Sequence, residues 1–135
     1  MVASRSTTPD ERGTSLRLDA RDDASAAAAV DAVLARHGRL DGLVVTAAPS
    51  ARTLDASRND DPAQVLEAFD AKAVVFLRLV NAVLPVMREA GYGRCGRHQR
   101  PERLPHRQHH GAVRNAALIV IAKNLADAVA GSGVT

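Results

Sequence analysis

Residues Leu40–Ala48 read Leu-Asp-Gly-Leu-Val-Val-Thr-Ala-Ala, a short and almost uninterrupted apolar run. Such a run belongs to a strand buried on both faces, the situation inside a parallel sheet. Parallel strands cannot be joined by tight hairpins and need long crossovers, usually helices. The run therefore demands helices in the sequence around it.

The flanks supply them. Asp22 or Asp23 can cap the segment Ala24–His37, because a carboxylate accepts the orphan amide protons of a first helical turn. Ala26, Val30, Val33 and Leu34 form one stripe along that helix, and Gly38 stops it. Before it, Ser15-Leu16-Arg17-Leu18-Asp19 alternates as a short strand does. After the run, residues 49–61 read as a polar loop. Pro62 suits a helix start, and a helical pattern extends to Ala90, with Pro85 expected to kink or break it. Gly91-Tyr92-Gly93 is a turn. Ala112–Ala130 is again helical, and Val134-Thr135 begins a further strand. Strand and helix alternating in this way predict an α/β fold.

The stretch Cys95–His110 interrupts this order. It holds four of the five His, the lone Cys and four Arg, with Leu104 as its one large apolar residue. Burying unpaired Arg side chains costs several kcal/mol each, so the segment is expected to be an irregular basic loop and not a strand. Cys95-x2-His98 and His106-x2-His109-His110 have spacings that Zn²⁺ could use, but they do not meet the finger spacing, and no metal site is assigned. The Arg can attract phosphates non-specifically. With few aromatics and no Trp, no specific nucleic-acid site is assigned.

The totals bound the rest. A chain of 135 residues with 46% apolar content and net charge +3 is one domain at most. A lone cysteine fits a reducing, cytoplasmic setting. No apolar run approaches the ~18 residues of a membrane span. Residues 1–13 are polar, lack the apolar core of a secretory signal and read as disordered, leaving 14–135 as the folded part.

From Leu18 to Ala126 the ordered motifs resemble the short-chain dehydrogenase/reductase family. They are Leu18-Asp19, Arg36-His37-Gly38-Arg39-Leu40-Asp41 before the buried strand Leu43-Val44-Val45, and Phe69-Asp70 with Phe76. Next come Val83-Leu84-Pro85-Val86-Met87, Gly91-Tyr92-Gly93-Arg94, and the helix Asn115-Ala116-Ala117-Leu118 through Lys123-Asn124-Leu125-Ala126. The resemblance implies a Rossmann-like, three-layer, doubly wound parallel sheet. It is incomplete here, because the first strand, its Gly-rich turn and the later strands are missing. It also implies hydride transfer between NAD or NADP and an alcohol or ketone. A homodimer through helices 62–89 and 112–130 is expected as well.

Carried over residue by residue, the resemblance puts Asp19 near the adenine, though ending a strand or standing near the next helix cap accounts for it equally well, and Ala47 and Ala48 beneath the cofactor. Gly111 falls where the family has its acid Tyr and Asn115 where it has its Lys. The family's helix Asn falls on Ala71, or on Lys72 if the helix shifts by one residue, and its Ser falls at His98-Gln99-Arg100. No catalytic residue is therefore assigned, and the chain is expected to be a non-catalytic relative. The alternative is an α/β binding or oligomerisation module.

One reading explains both edges of the basic stretch. With GC-rich codons and free choice of third bases, Cys95–His110 read one base later gives Ala-Val-Val-Thr-Ser-Gly-Gln-Asn-Ala-Phe-Pro-Thr-Gly-Asn-Ile-Thr. That is an apolar strand and a Ser/Gly/Asn loop, as the family pattern requires after Arg94. A compensated frameshift, with a base gained near codon 95 and one lost near codon 110, would produce the present sequence.

Overall fold

The computed structural model describes residues 1–5, 14–46, 55–97 and 109–135. In chain order the elements are β1 (Val2–Ser4), β2 (Ser15–Arg17), α1 (Asp23–His37), β3 (Gly42–Val45), a 3₁₀ turn (Ala56–Arg58), α2 (Pro62–Phe69), a π-turn (Asp70–Val74), α3 (Val75–Glu89), β4 (Arg94–Arg97) and α4 (His109–Ala128). The strands form two parallel pairs, β1 with β2 and β3 with β4. The fold is α/β with parallel strands, and its sheets are small, as an incomplete domain requires.

Local chemistry sets the helix ends. The Asp22 carboxylate accepts from the amides of Ala24 and Ser25, and Gly38 closes α1 at φ 70° with its amide on the Leu34 carbonyl. Asp61 caps α2 through the Ala63 amide, with Pro62 in the first turn. The expected break at Pro85 does not occur, since α3 runs through it to Glu89. The irregularity lies earlier, where five residues, Asp70–Val74, widen into a π-turn that continues from α2 and leads into α3.

The core lies between the helices and one face of the strands. Val75, Phe76, Val80, Val83, Leu84 and Met87 of α3 meet Ala26 and Val30 of α1, Val45 of β3 and Leu118 of α4, with Leu43 and Cys95 packed against them. Burial of this order, at about 25 cal/mol per Å² of apolar surface, drives the folding. Among the described residues the face carrying Gly42 and Val44 has no such cover, and Val44 is 71% exposed. Arg78 ties α3 to the start of α1, with Nε 2.5 Å from Asp23 Oδ1 and Nη1 3.3 Å from the Ala20 carbonyl.

Two expectations change. Within residues 1–13, expected to be disordered, Val2–Ser4 is a strand; Val2 N–H donates to the Thr14 carbonyl and the Ser4 carbonyl accepts from Leu18 N–H, both at 2.9 Å. Backbone pairing needs no apolar side chains at a sheet margin. Residues 6–13 lie outside the described residues.

Within 95–110, expected to be an irregular basic loop, Cys95–Arg97 belong to β4 and His109–His110 open α4. Residues 98–108 lie outside the described residues. The desolvation argument failed because β4 is short and covered on one face. Arg94 shares the bare face with Gly42, stacks 4.7 Å over the Tyr92 ring and donates from Nη1 to the Gly93 and Gly133 carbonyls. Cys95, whose Sγ lies 3.7 Å from Met87 Sδ, takes the core side. Beyond β4, Cys95 N–H donates to the Thr135 carbonyl and Thr135 N–H to the Gly93 carbonyl. Gly93 and Val134 form a parallel bridge, the start of the strand expected at 134–135.

Candidate functional site

In open parallel sheets, ligands bind beyond the carboxyl ends of the strands. Here that rim holds Asp19 after β2 and Thr46 after β3. Asp19 is exposed and sits in a tight turn. Its Oδ1 accepts from Arg21 N–H at 3.0 Å, its carbonyl from Asp22 N–H at 3.1 Å, and its own N–H donates to Ser25 Oγ at 2.9 Å. These bonds steer the chain into α1. Ala47 and Ala48 lie outside the described residues, as do His98, Gln99 and Arg100.

The structure joins two positions that the sequence treats separately. Lys72 Nζ donates to Asn115 Oδ1 at 2.5 Å, across the packing of the π-turn on α4. Asn115 is 5% exposed, and Ala71 and Ala73 on either side of Lys72 are buried. Within the π-turn, Lys72 and not Ala71 is the residue bonded to Asn115. Gly111 and Arg114, on the same helix, are also buried. The ammonium and the carboxamide thus stand on opposite helices from those the resemblance implies. A contact 43 residues apart in sequence left no local signal to find it by.

The described helix starts test the fit of a nicotinamide dinucleotide. Its pyrophosphate needs backbone amides at a helix N-terminus, free of competing negative charge. The first amides of α1 are held by the Asp22 carboxylate and those of α2 by Asp61. The Arg58 guanidinium beside Asp61 holds that carboxyl below its ordinary range. Asp55, at the start of the 3₁₀ turn, is likewise lowered by its bond from the Ser57 hydroxyl. A phosphate at these starts would meet an ionised carboxylate. Neither α1 nor α2 therefore fits the pyrophosphate.

Sequence reasoning also missed Gln64, a buried residue whose carboxamide clamps the preceding turn. Its Oε1 accepts from Asp55 N–H, and its Nε2 donates to the Asp55 and Arg58 carbonyls. The same turn anchors the start of α4. Asn59 Oδ1 accepts from His109 N–H at 2.8 Å, and His109 Nε2 lies 3.1 Å from Asp60 Oδ1. Asn59, Asp60 and His109 border an open apolar groove with Val65 and Leu66. A second groove, beside Leu34, Arg39, Asp41 and Tyr92, lies at the amino ends of β3 and β4, away from the rim where ligands bind. Among the described residues no group of His, Cys, Asp and Glu is arranged to hold a metal ion.

The family model for enoyl-(acyl carrier protein) reductase, of the short-chain dehydrogenase type, matches residues 3–135. The chain belongs to the short-chain dehydrogenase/reductase family. A short-chain dehydrogenase from Streptomyces avermitilis is 28% identical, with a TM-score of 0.77 over 92% of this chain and 46% of its own. A putative 3-oxoacyl-reductase from Bacillus thuringiensis is 19% identical, with a TM-score of 0.75 over 90% of this chain and 52% of its own. An NADPH-dependent reductase involved in bacilysin biosynthesis is 23% identical, with a TM-score of 0.75 over 90% of this chain and 50% of its own. A search of curated proteins finds no match. The chain thus spans about half the length of the solved relatives it matches. Among its described residues no helix is long and apolar enough to cross a membrane.

Proposed function

We propose that this chain carries the architecture of an NAD(P)-dependent oxidoreductase for a small alcohol or ketone, but that alone it is a pseudoenzyme. The observation that carries this reading is the Lys72–Asn115 pair between the π-turn and α4, the helix that carries Gly111 in place of a proton-donating side chain. A general acid must reach the reacting oxygen. Glycine supplies no proton, and Asn115 is engaged with an ammonium. The carboxylate-capped starts of α1 and α2 argue against dinucleotide binding by the same chain. In this reading Asp19, Ala47 and Ala48 are cofactor positions by resemblance, without a cofactor to serve.

Titration calorimetry with NADPH, beside a hydride-transfer assay on small ketones, tests it. We expect no saturable heat and no oxidation of NADPH above the protein-free rate. Saturable binding with turnover would refute the reading. The basic stretch fits the same picture as a compensated frameshift, since β4 occupies a strand position with the residues Arg-Cys-Gly-Arg. Resequencing codons 95–110 tests that origin, and codons unable to give the second reading would sink it.

A second reading, an oligomerisation module in the cytoplasm, rests on exposed apolar residues of α2 and α4. Leu66 is 66% exposed, Ile119 50% and Val120 56%. Exposed apolar residues on two helices that pack together can serve as an interaction surface. Light scattering after size exclusion should give a discrete dimer, and a monomer at high concentration would exclude it.

A further inference from the structure

The groove beside Leu34 and Tyr92 is formed where α1 and α3 finish and where the chain approaches β3 and β4. It encloses about 650 Å³, the size that small-molecule sites have. Leu34, Leu40 and Val86 line it with apolar surface, each partly buried against the core. It lies at the opposite end of the strands from the rim that serves dinucleotides, and it shares no residue with the Lys72–Asn115 pair.

Two helices bring their carbonyl ends here. Gly38 closes α1 with its amide on the Leu34 carbonyl, and Ala90 closes α3 with its amide on the Val86 carbonyl. Each such end carries about half a negative charge, so cations belong beside it. Glu89, the last residue of α3, instead puts a carboxylate there, and it lines the groove. Among the described residues its side chain has no hydrogen bond or ion pair. The neighbouring cations are otherwise engaged. Arg88 donates from Nη2 to the Ala128 carbonyl at the end of α4. Arg39 is committed to Asp41, with Nε 2.9 Å and Nη2 2.8 Å from Oδ1, so those two charges cancel. Arg94 is used at the Gly93 and Gly133 carbonyls and on the Tyr92 ring. Arg36, two residues beyond Leu34, lies on another face of α1.

We propose that this groove binds a small organic ammonium ion, its charged head beside Glu89 and the two helix ends and its apolar body against Leu34, Leu40 and Val86. A carboxylate set against the field of its own helix, with no cation to offset it, breaks a local rule of stability, and such breaches gather at functional sites. A bound cation offsets it. An anion would meet Glu89 and two negative helix ends, and a neutral molecule of the same shape would use the apolar lining alone. Glu89 is exposed, so each electrostatic contribution is small and the preference comes from their sum. One surface carboxylate and two helix ends together favour an ammonium over its neutral counterpart by about tenfold. The proposal is independent of cofactor binding, because a chain that never binds NADPH could still hold the ammonium ion.

The test titrates benzylammonium, benzyl alcohol and benzoate, three probes of one shape and different charge, into the full 135-residue chain. At about pH 8 imidazoles are neutral and the amine is still charged. The amide resonances of Gly38, Ala90 and Tyr92 report binding. Benzylammonium should saturate their shifts at about one-tenth the concentration that benzyl alcohol needs, and benzoate should bind more weakly than either. Glu89→Gln should weaken benzylammonium about threefold and leave benzyl alcohol unchanged. It removes an exposed charge that opposes the α3 field, so the chain should stay folded. Arg39→Gln, which releases the Asp41 carboxylate, should tighten benzylammonium about threefold. The proposal is overturned if no probe saturates, if benzyl alcohol or benzoate binds as tightly as benzylammonium, or if Glu89→Gln leaves the affinity for benzylammonium unchanged.

Discussion

Helices and strands fare differently in this chain. The helical layer has a closely packed centre, with Ala73 and Met87 fully buried and Val80 at 2% exposure. The strand layer is thin, with β1 exposed throughout and Val44 71% exposed. The reason is where backbone bonds go. A helix satisfies its own amides and carbonyls within the segment, whereas a strand depends on neighbours brought from elsewhere. Here the helices close their own bonds, while the described strands pair only two by two.

The sharpest way to break the contrast is to truncate one side chain in each layer. Met87→Ala should cost about 2–5 kcal/mol, because it removes a buried side chain and leaves a cavity the surrounding helices cannot close. The Met87 side chain also fills the space against Gly93, where an added Cβ would lie 2.5 Å from its Sδ. Val44→Ala should change stability by no more than about 0.5 kcal/mol. Urea unfolding followed by circular dichroism measures both. Equal losses would mean that Val44 is covered in solution and the two layers are alike.

The same contrast governs what could be read from the sequence. The bounds of α1 were legible because they are written locally, in a carboxylate that caps and a glycine at positive φ that stops. The run at 40–48 correctly announced a parallel strand, Gly42–Val45, but not burial on both faces, since Gly42 and Val44 are exposed. Proline chemistry pointed to a break at Pro85, while the irregularity is a π-turn at Asp70–Val74 that faces α4. Nothing near Lys72 encodes Asn115, so the site's closest polar contact was invisible until the helices met. β4 was rejected on side-chain cost because its backbone pairing and its single covered face are tertiary facts. Asp19 was legible as a strand end, but its bonds to Arg21 and Ser25 were not. Ala47 and Ala48 remain positions by family resemblance.

A smaller effect should come from filling the strand layer. Gly96 stands opposite Val44 in the β3–β4 register, and a Cβ there would make ordinary contacts at 3.9 Å with Leu43 and Val44. Gly96→Val, the residue the alternative frame specifies, should stabilise by about 1 kcal/mol through lower unfolded-state entropy and a new cross-strand pair. The urea midpoint should rise with the slope unchanged. A fall would mean that β4 needs glycine for close approach and that the restored frame does not suit this backbone.

The smallest effect sits where the two layers touch. Burial beside Met87 pushes the Cys95 thiol above its ordinary value of 9.0, because a thiolate there would lose solvation. A group whose folded pKa is raised stabilises the fold fully below the unfolded value. That contribution is lost as pH climbs through the folded value, because the unfolded thiol gives up its proton first. Stability should therefore be level in this respect at pH 7 and decline above about 9. Alkylation by iodoacetamide should titrate at higher pH in the native chain than in urea, since only the thiolate attacks. The variant Cys95→Ala should flatten the Cys-dependent part of the decline. A native alkylation midpoint equal to the denatured one would show that Cys95 faces water, and that strand and helix layers do not meet at β4.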